Sequence, residues 1–174
     1  LPSKEGVFPV VILISGSGPQ NRDEELLGHK PFLVLSDFLT RNGIAVLRYD
    51  DRGTALSKGD FKTATSADFA TDVESAIAYL KTRKEINTKN IGLIGHSEGG
   101  LIAPMVASKS KDVAFIVLLA GTGIQGDRLL LLQQKLISKN YIFIFDVFSY
   151  SRKKKKKNNY EIWFRNKKVM RGQS

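Results

Sequence analysis

Four short runs of continuous apolar, largely β-branched residues, at 10–15, 44–49, 91–95 and 114–120, alternate with stretches of helical periodicity. A strand that is apolar without alternation is buried on both faces, which requires helices above and below the sheet. Parallel neighbours cannot be joined by a hairpin, and the intervening segments are long enough to cross over. The pattern predicts an α/β fold: a doubly wound, mostly parallel sheet with helices on both faces.

The helical segments carry their own start and stop signals. Pro31 opens the first, with Phe32, Leu35, Phe38 and Leu39 on one stripe and Asn42-Gly43 as its stop. Thr65 or Ser66 caps the second, which has Asp68, Asp72 and Glu74 early and Lys81, Arg83 and Lys84 late, matching the helix dipole. Its inward stripe is Phe69, Val73, Ala76, Ile77 and Leu80. The third follows Ser97 directly, is rich in small residues, and contains Pro104, which removes one donor and bends the helix. In such a sheet the reactive groups gather at the carboxyl ends of the strands, here residues 15–19, 50–53, Ser97 and 121–123.

With 174 residues and 42% apolar content the chain can bury one good core. It has no cysteine and only two histidines, His29 and His96. Thiolate metal sites are thereby excluded, two histidines argue against a multi-histidine site, and no metal or other cofactor is expected. No apolar run approaches the roughly 18–20 residues of a membrane span. The chain begins without methionine, so an upstream export signal fits it as well as none, and the compartment stays open.

The net charge of +10 sits almost wholly in residues 152–174, where ten Lys and Arg oppose Glu161 alone. Like charges at that density repel and mark a solvated segment, so neither nucleic acid nor membrane is expected as a partner. From about residue 138 the helix and strand patterning is lost: an aromatic run without turn chemistry meets a lysine run. The expected organisation is a partial α/β domain at 1–137 and a poorly patterned basic tail at 138–174, read as disordered or as the product of a shifted reading frame.

The third apolar run leads into Gly95-His96-Ser97-Glu98-Gly99, followed by Leu101, Ile102, Met105 and Val106 at helical spacing. A Gly-x-Ser-x-Gly between strand and helix forces the serine into a strained turn with its hydroxyl at the tip. The flanking glycines are needed because the reversal leaves no room for Cβ atoms two positions either side. Ser97 is therefore the candidate nucleophile.

Three motifs in order, SGSGPQNRDE after the first run, YDDRG after the second and GHSEGG after the third, make the chain resemble the α/β-hydrolase superfamily. Its likeness is to bacterial serine esterases and the serine aminopeptidase-like group, over roughly residues 7–135. The resemblance implies acyl transfer from a small acyl-ester substrate to water through an acyl-enzyme on Ser97. It assigns the oxyanion donors to the backbone amides of Ser17 and Glu98. A peptidase, an acyltransferase or a binding protein on the same fold stays open, since specificity lies outside these motifs.

Asp50, Arg52 and Gly53 match a DxRGxGxS loop in which Ala55 replaces the second glycine. That loop is expected to be structural, with Arg52 tied to a carboxylate. Asp23, Glu24 and His29 either line the pocket or are solvated loop charges. The family's histidine follows the nucleophile, whereas both histidines here precede it. His96 is expected to be a packing residue turned away from the Ser97 hydroxyl. Asp127 follows the fourth run and is the candidate acid. Such a chain resembles a truncated hydrolase of weak or no activity, and its exposed sheet edges are expected to drive self-association.

Overall fold

The protein, a computed structural model, is described for the backbone of residues 1–140, 159–164 and 167–173 and for the side chains of residues 1–138. It forms two compact units, Leu1–Gly126 and Asp127–Ser174. The first contains β1 (Phe8–Ile14), α1 (Pro31–Arg41), β2 (Ala45–Leu47), α2 (Ser66–Lys81), β3 (Ile86–His96), α3 (Gly99–Ala107) and β4 (Val113–Leu119). The second begins at the end of Gly126 with α4 (Gly126–Asn140) and includes β5 (Asn159–Phe164) and β6 (Lys167–Gln173), paired antiparallel. The composition boundary at 137 falls inside α4. The lysine run at 153–157 lies outside the described residues.

All four strands of the first unit are parallel, in the order β2-β1-β3-β4. From β1 the chain passes through α1 to β2 on one side, then returns through α2 to β3 on the other side of β1. The winding therefore reverses between β1 and β3, and the crevice beyond their carboxyl ends is the topological switch point where doubly wound sheets bind ligands.

Alternate residues of β1 feed two cores, as the unalternating apolar sequence requires. Val10, Ile12 and Ile14 pack with Ile91, Leu93, Val73, Ile77, Ile102 and Val106, placing α2 and α3 on one face. Val11 and Leu13 pack with Phe32 and Ile94, placing α1 on the other. Each such side chain contributes about 1.5–3 kcal/mol by leaving water.

Both helix starts follow the residues read from the sequence. Pro31 occupies the first turn of α1, which has no side-chain cap. Thr65 caps α2 in a reciprocal box, with Asp68 Oδ2 accepting the Thr65 N–H at 2.8 Å, an arrangement worth about 1 kcal/mol.

Two strands differ from expectation. β2 keeps only three residues, because Arg48 leaves the ladder to pair with Asp23 and Tyr49 turns into the larger core. β3 starts at Ile86, where it pairs with Phe8 before a shift in register. Among the described residues, no helix is long and apolar enough to cross a membrane.

Candidate active site

β3 ends at His96 and α3 begins at Gly99, so Ser97 and Glu98 form the reversal between them. Ser97 takes φ +51°, in the left-handed region that costs an L-residue about 1–2 kcal/mol. Its N–H is held by the Leu119 carbonyl at 2.9 Å, and its own carbonyl accepts the Gly100 N–H at 3.0 Å. The neighbours over-determine this strained residue. A Cβ on Gly95 would stand 2.0 Å from the Gly99 oxygen, and one on Gly99 would stand 2.2 Å from the Ile14 oxygen. Gly100 packs as closely on Gly121, whose Cα would lie 2.6 Å from an added Cβ. Close backbone approach, rather than positive φ, thus dictates all three glycines.

The loop after β1 meets this turn across the switch point. Ser15 donates its hydroxyl to Asp51 Oδ1 at 2.7 Å, and the Gln20 N–H bonds Asp51 Oδ2 at 2.9 Å, so one buried carboxylate pins both ends of the loop. A Cβ at Gly16 would lie 3.2 Å from Ser97 Cβ, which brings the loop backbone against the candidate nucleophile. The Gly16 N–H is occupied by Glu24 Oε1 at 2.7 Å. Among the described residues, the next amide, that of Ser17, has no partner, and neither has that of Glu98. One free N–H thus follows the residue packed against Ser97 and the other follows Ser97 itself, and donors of this kind are what an oxyanion requires.

Surrounding charges hold the frame. The Glu98 carboxylate accepts the Ser66 hydroxyl at 2.6 Å, tying the turn to the start of α2. Arg52 forms a two-pronged pair with Asp72, both contacts at 2.8 Å, and donates to the Asp68 carbonyl. Asp50 receives Arg22 through Nε at 3.1 Å and Nη2 at 2.7 Å, and the Arg22 and Leu56 N–H groups as well. The Arg22 hydrogen bonds hold the Asp50 carboxyl well below the ordinary carboxylate range. Burial pushes Asp51 the other way, against the hydrogen bonds it accepts, and burial likewise raises the Tyr49 phenol. The expected structural role of the 50–53 loop fits this network.

The family profile described as serine aminopeptidase, S33, matches residues 31–172. The chain belongs to that α/β-hydrolase family. Esterase EstD of Thermotoga maritima is 37% identical over 112 residues, 64% of this chain and 26% of the relative. An acyl transferase of Photobacterium leiognathi is 34% identical over 91 residues, 52% of this chain and 28% of the relative. Among solved structures, an esterase of Pyrococcus furiosus superimposes with a TM-score of 0.63 at 26% identity, covering 78% of this chain and 48% of that one. The α/β-hydrolase GrgF from Penicillium gives a TM-score of 0.59 at 23% identity, covering 77% and 46%. The chain therefore matches about a quarter of the length of these sequence relatives and about half of the solved ones.

The remaining candidate residues of this α/β-hydrolase separate. Asp23 pairs with Arg48 and approaches Lys30, so it is engaged in the loop's own ion pairs. His29 is exposed and lines an open groove with Lys30, Pro31, Val34, Leu35 and Phe38 along α1. The smaller cavity beside the turn is lined instead by Ser15, Gly16, Tyr49, Asp51, Phe69 and Glu98. Asp127 opens α4 in the second unit, where its Oδ1 accepts the Arg128 N–H at 2.9 Å. His96 corrects the expectation of a packing residue: its side chain is 42% exposed and its Nδ1 lies 2.7 Å from Glu24 Oε1. Glu24 itself is buried, with φ +50°. The sequence marks it only as one of several acidic loop residues, and nothing local signals that long-range contacts would enclose it.

Proposed function

We propose that the chain is a serine hydrolase acting on a carboxylic ester, with Ser97 as nucleophile and the amides of Ser17 and Glu98 as oxyanion donors. The observation that carries this reading is the strained Ser97 turn packed against Gly16, with the N–H groups of the next residues, Ser17 and Glu98, left unpartnered. Kinship with esterases supports the substrate class. The Ser97 oxygen adds to the ester carbonyl carbon, and the charge forming on the carbonyl oxygen meets the two donors. The bond to the alcohol then breaks, the alcohol leaves with the serine proton, and water attacks the acyl-serine to release the acid and restore the hydroxyl.

Neither histidine follows Ser97 in the sequence, so the histidine position of the family has no counterpart in this chain. Turnover is accordingly expected to be slow, since loss of the triad base costs several orders of magnitude while oxyanion and binding contributions persist. A fluorophosphonate probe tests the nucleophile: labelling of the chain that disappears in Ser97→Ala supports it, and a chain that takes no label, or labels equally in the variant, defeats it.

Kinship with an acyl transferase favours a second reading, in which an alcohol or thiol replaces water as acceptor. Product analysis with an ester donor separates the two. Free acid despite added acceptor supports hydrolysis, and a transferred acyl group supports the second reading.

A further inference from the structure

Glu24 does more than fill a loop. Its side chain is 8% exposed, and it adopts φ +50° in a turn closed by its own N–H on the Asn21 carbonyl at 2.8 Å. A bulky residue held in the left-handed region signals a position fixed by demands other than local preference. Its Oε1 meets two groups at once: the Gly16 N–H at 2.7 Å and His96 Nδ1 at 2.7 Å. Viewed from the point where a Gly16 Cβ would stand, Ser97 Cβ is 3.2 Å away, and Glu24 Oε1 and His96 Nδ1 are each 3.3 Å away. Three side chains from two segments thus converge on Gly16, the one residue there that lacks a side chain.

We propose that Glu24 is a positioning residue: a single carboxylate oxygen that clamps the oxyanion-loop backbone at Gly16 and sets the tautomer of His96 beside Ser97. A carboxylate oxygen only accepts, so His96 must donate from Nδ1, leaving the Nε2 lone pair free. The same oxygen orients the peptide before Ser17, whose N–H is one of the two free donors. The buried acceptor makes both constraints stiff, because breaking either contact leaves a desolvated group unpaired. The consequence for rate rests on the reading of Ser97 given above, whereas the tautomer does not.

The test uses the whole chain. In 15N spectra of its imidazoles, recorded where His96 is neutral, wild type is expected to show Nδ1 protonated. Glu24→Ala is expected to return His96 to the Nε2–H form favoured by a free side chain, while Glu24→Gln, whose amide oxygen still accepts, keeps Nδ1–H. Fluorophosphonate labelling of Ser97 should slow about ten- to a hundredfold in Glu24→Ala and less in Glu24→Gln, as expected when a donor beside the reacting atom is displaced. Wild type with Nε2 protonated overturns the proposal, as does a folded Glu24→Ala that labels at the wild-type rate. If Glu24→Ala does not fold, the wild-type tautomer and the Glu24→Gln arm still decide it. A wild-type chain that shows the Nδ1–H tautomer but takes no label counts against the Ser97 reading and leaves the clamp supported.

Discussion

A Cβ placed on Gly95 would stand 2.0 Å from the carbonyl oxygen of Gly99, with backbone rather than a flexible side chain in the way. The last residue of the strand core and the first of α3 therefore touch backbone to backbone across the Ser97 turn. Gly95→Ala is expected to destabilise the chain by about 3 kcal/mol, at the upper end of overpacking costs, because neither backbone can move without opening the sheet. Gly123→Ala, with nothing within 4 Å, is the control and should shift stability by less than about 0.5 kcal/mol. Urea unfolding of the two variants measures the contrast, and equal midpoints would contradict the close approach.

Ala55 stands at φ +46° in the turn closed by the Ser57 N–H on the Thr54 carbonyl, and it is exposed. It is the position at which the DxRGxGxS pattern that this loop resembles has its second glycine. Glycine relieves the left-handed strain and loses part of the gain to the entropy of a freer unfolded chain. Ala55→Gly should therefore stabilise by about 0.5–1 kcal/mol, raising Tm by about 1–4 °C for a chain of this size. A lower Tm would mean that the Ala55 methyl makes contacts that outweigh its backbone strain.

These two sites show which parts of the fold were legible. The Ser97 turn could be read because its constraint is local: strand, reversal and helix lie within about ten residues, and the glycines are demanded by the bend itself. Pro31 and Thr65 announced their helices for the same reason. Glu24 could not be read, since its burial depends on β3 bringing His96 and on β1 bringing Gly16 from distant parts of the chain. The brevity of β2 was equally hidden, because the Arg48–Asp23 pair that ends it joins residues far apart in sequence. His96 differs from the packing residue expected of it for the same reason, since its carboxylate partner Glu24 lies 72 positions away in the sequence.

Asp50 and Asp51 are adjacent and buried, yet their carboxyls move in opposite directions. The Arg22 hydrogen bonds lower Asp50, so its stabilisation is present at neutral pH and is lost as pH falls below its ordinary value of about 4. Asp50→Asn should cost about 2 kcal/mol at pH 7, a hydrogen-bonded charge being removed, and progressively less toward pH 2. Burial raises Asp51, so its penalty is absent in acid and grows as pH climbs past the ordinary value. The stability of Asp51→Asn relative to wild type should consequently improve from pH 3 to pH 7. Urea midpoints across that range check both, and parallel pH profiles for the two variants would refute the assignment.

β4 is the edge of the four-stranded sheet, and Phe115, Ile116, Val117, Leu118 and Leu119 are 45%, 37%, 40%, 45% and 37% exposed. Its register places Ile116 beside Leu93 and Val117 beside Ile94, so both faces of the strand present apolar side chains. No charge or proline stands within Val113–Leu119, and the one register shift lies at its start, between Val113 and Phe115, so Phe115–Leu119 stay open to pairing, in contrast to the opposite edge, where β2 is three residues long. We therefore expect the chain to self-associate through β4 as concentration rises, with sedimentation coefficients increasing from micromolar to several hundred micromolar. Val117→Lys places a charge on that edge and should restore a slower boundary while leaving the helical circular-dichroism signal intact. A single monomeric boundary for wild type throughout the range would show that the edge is protected in solution.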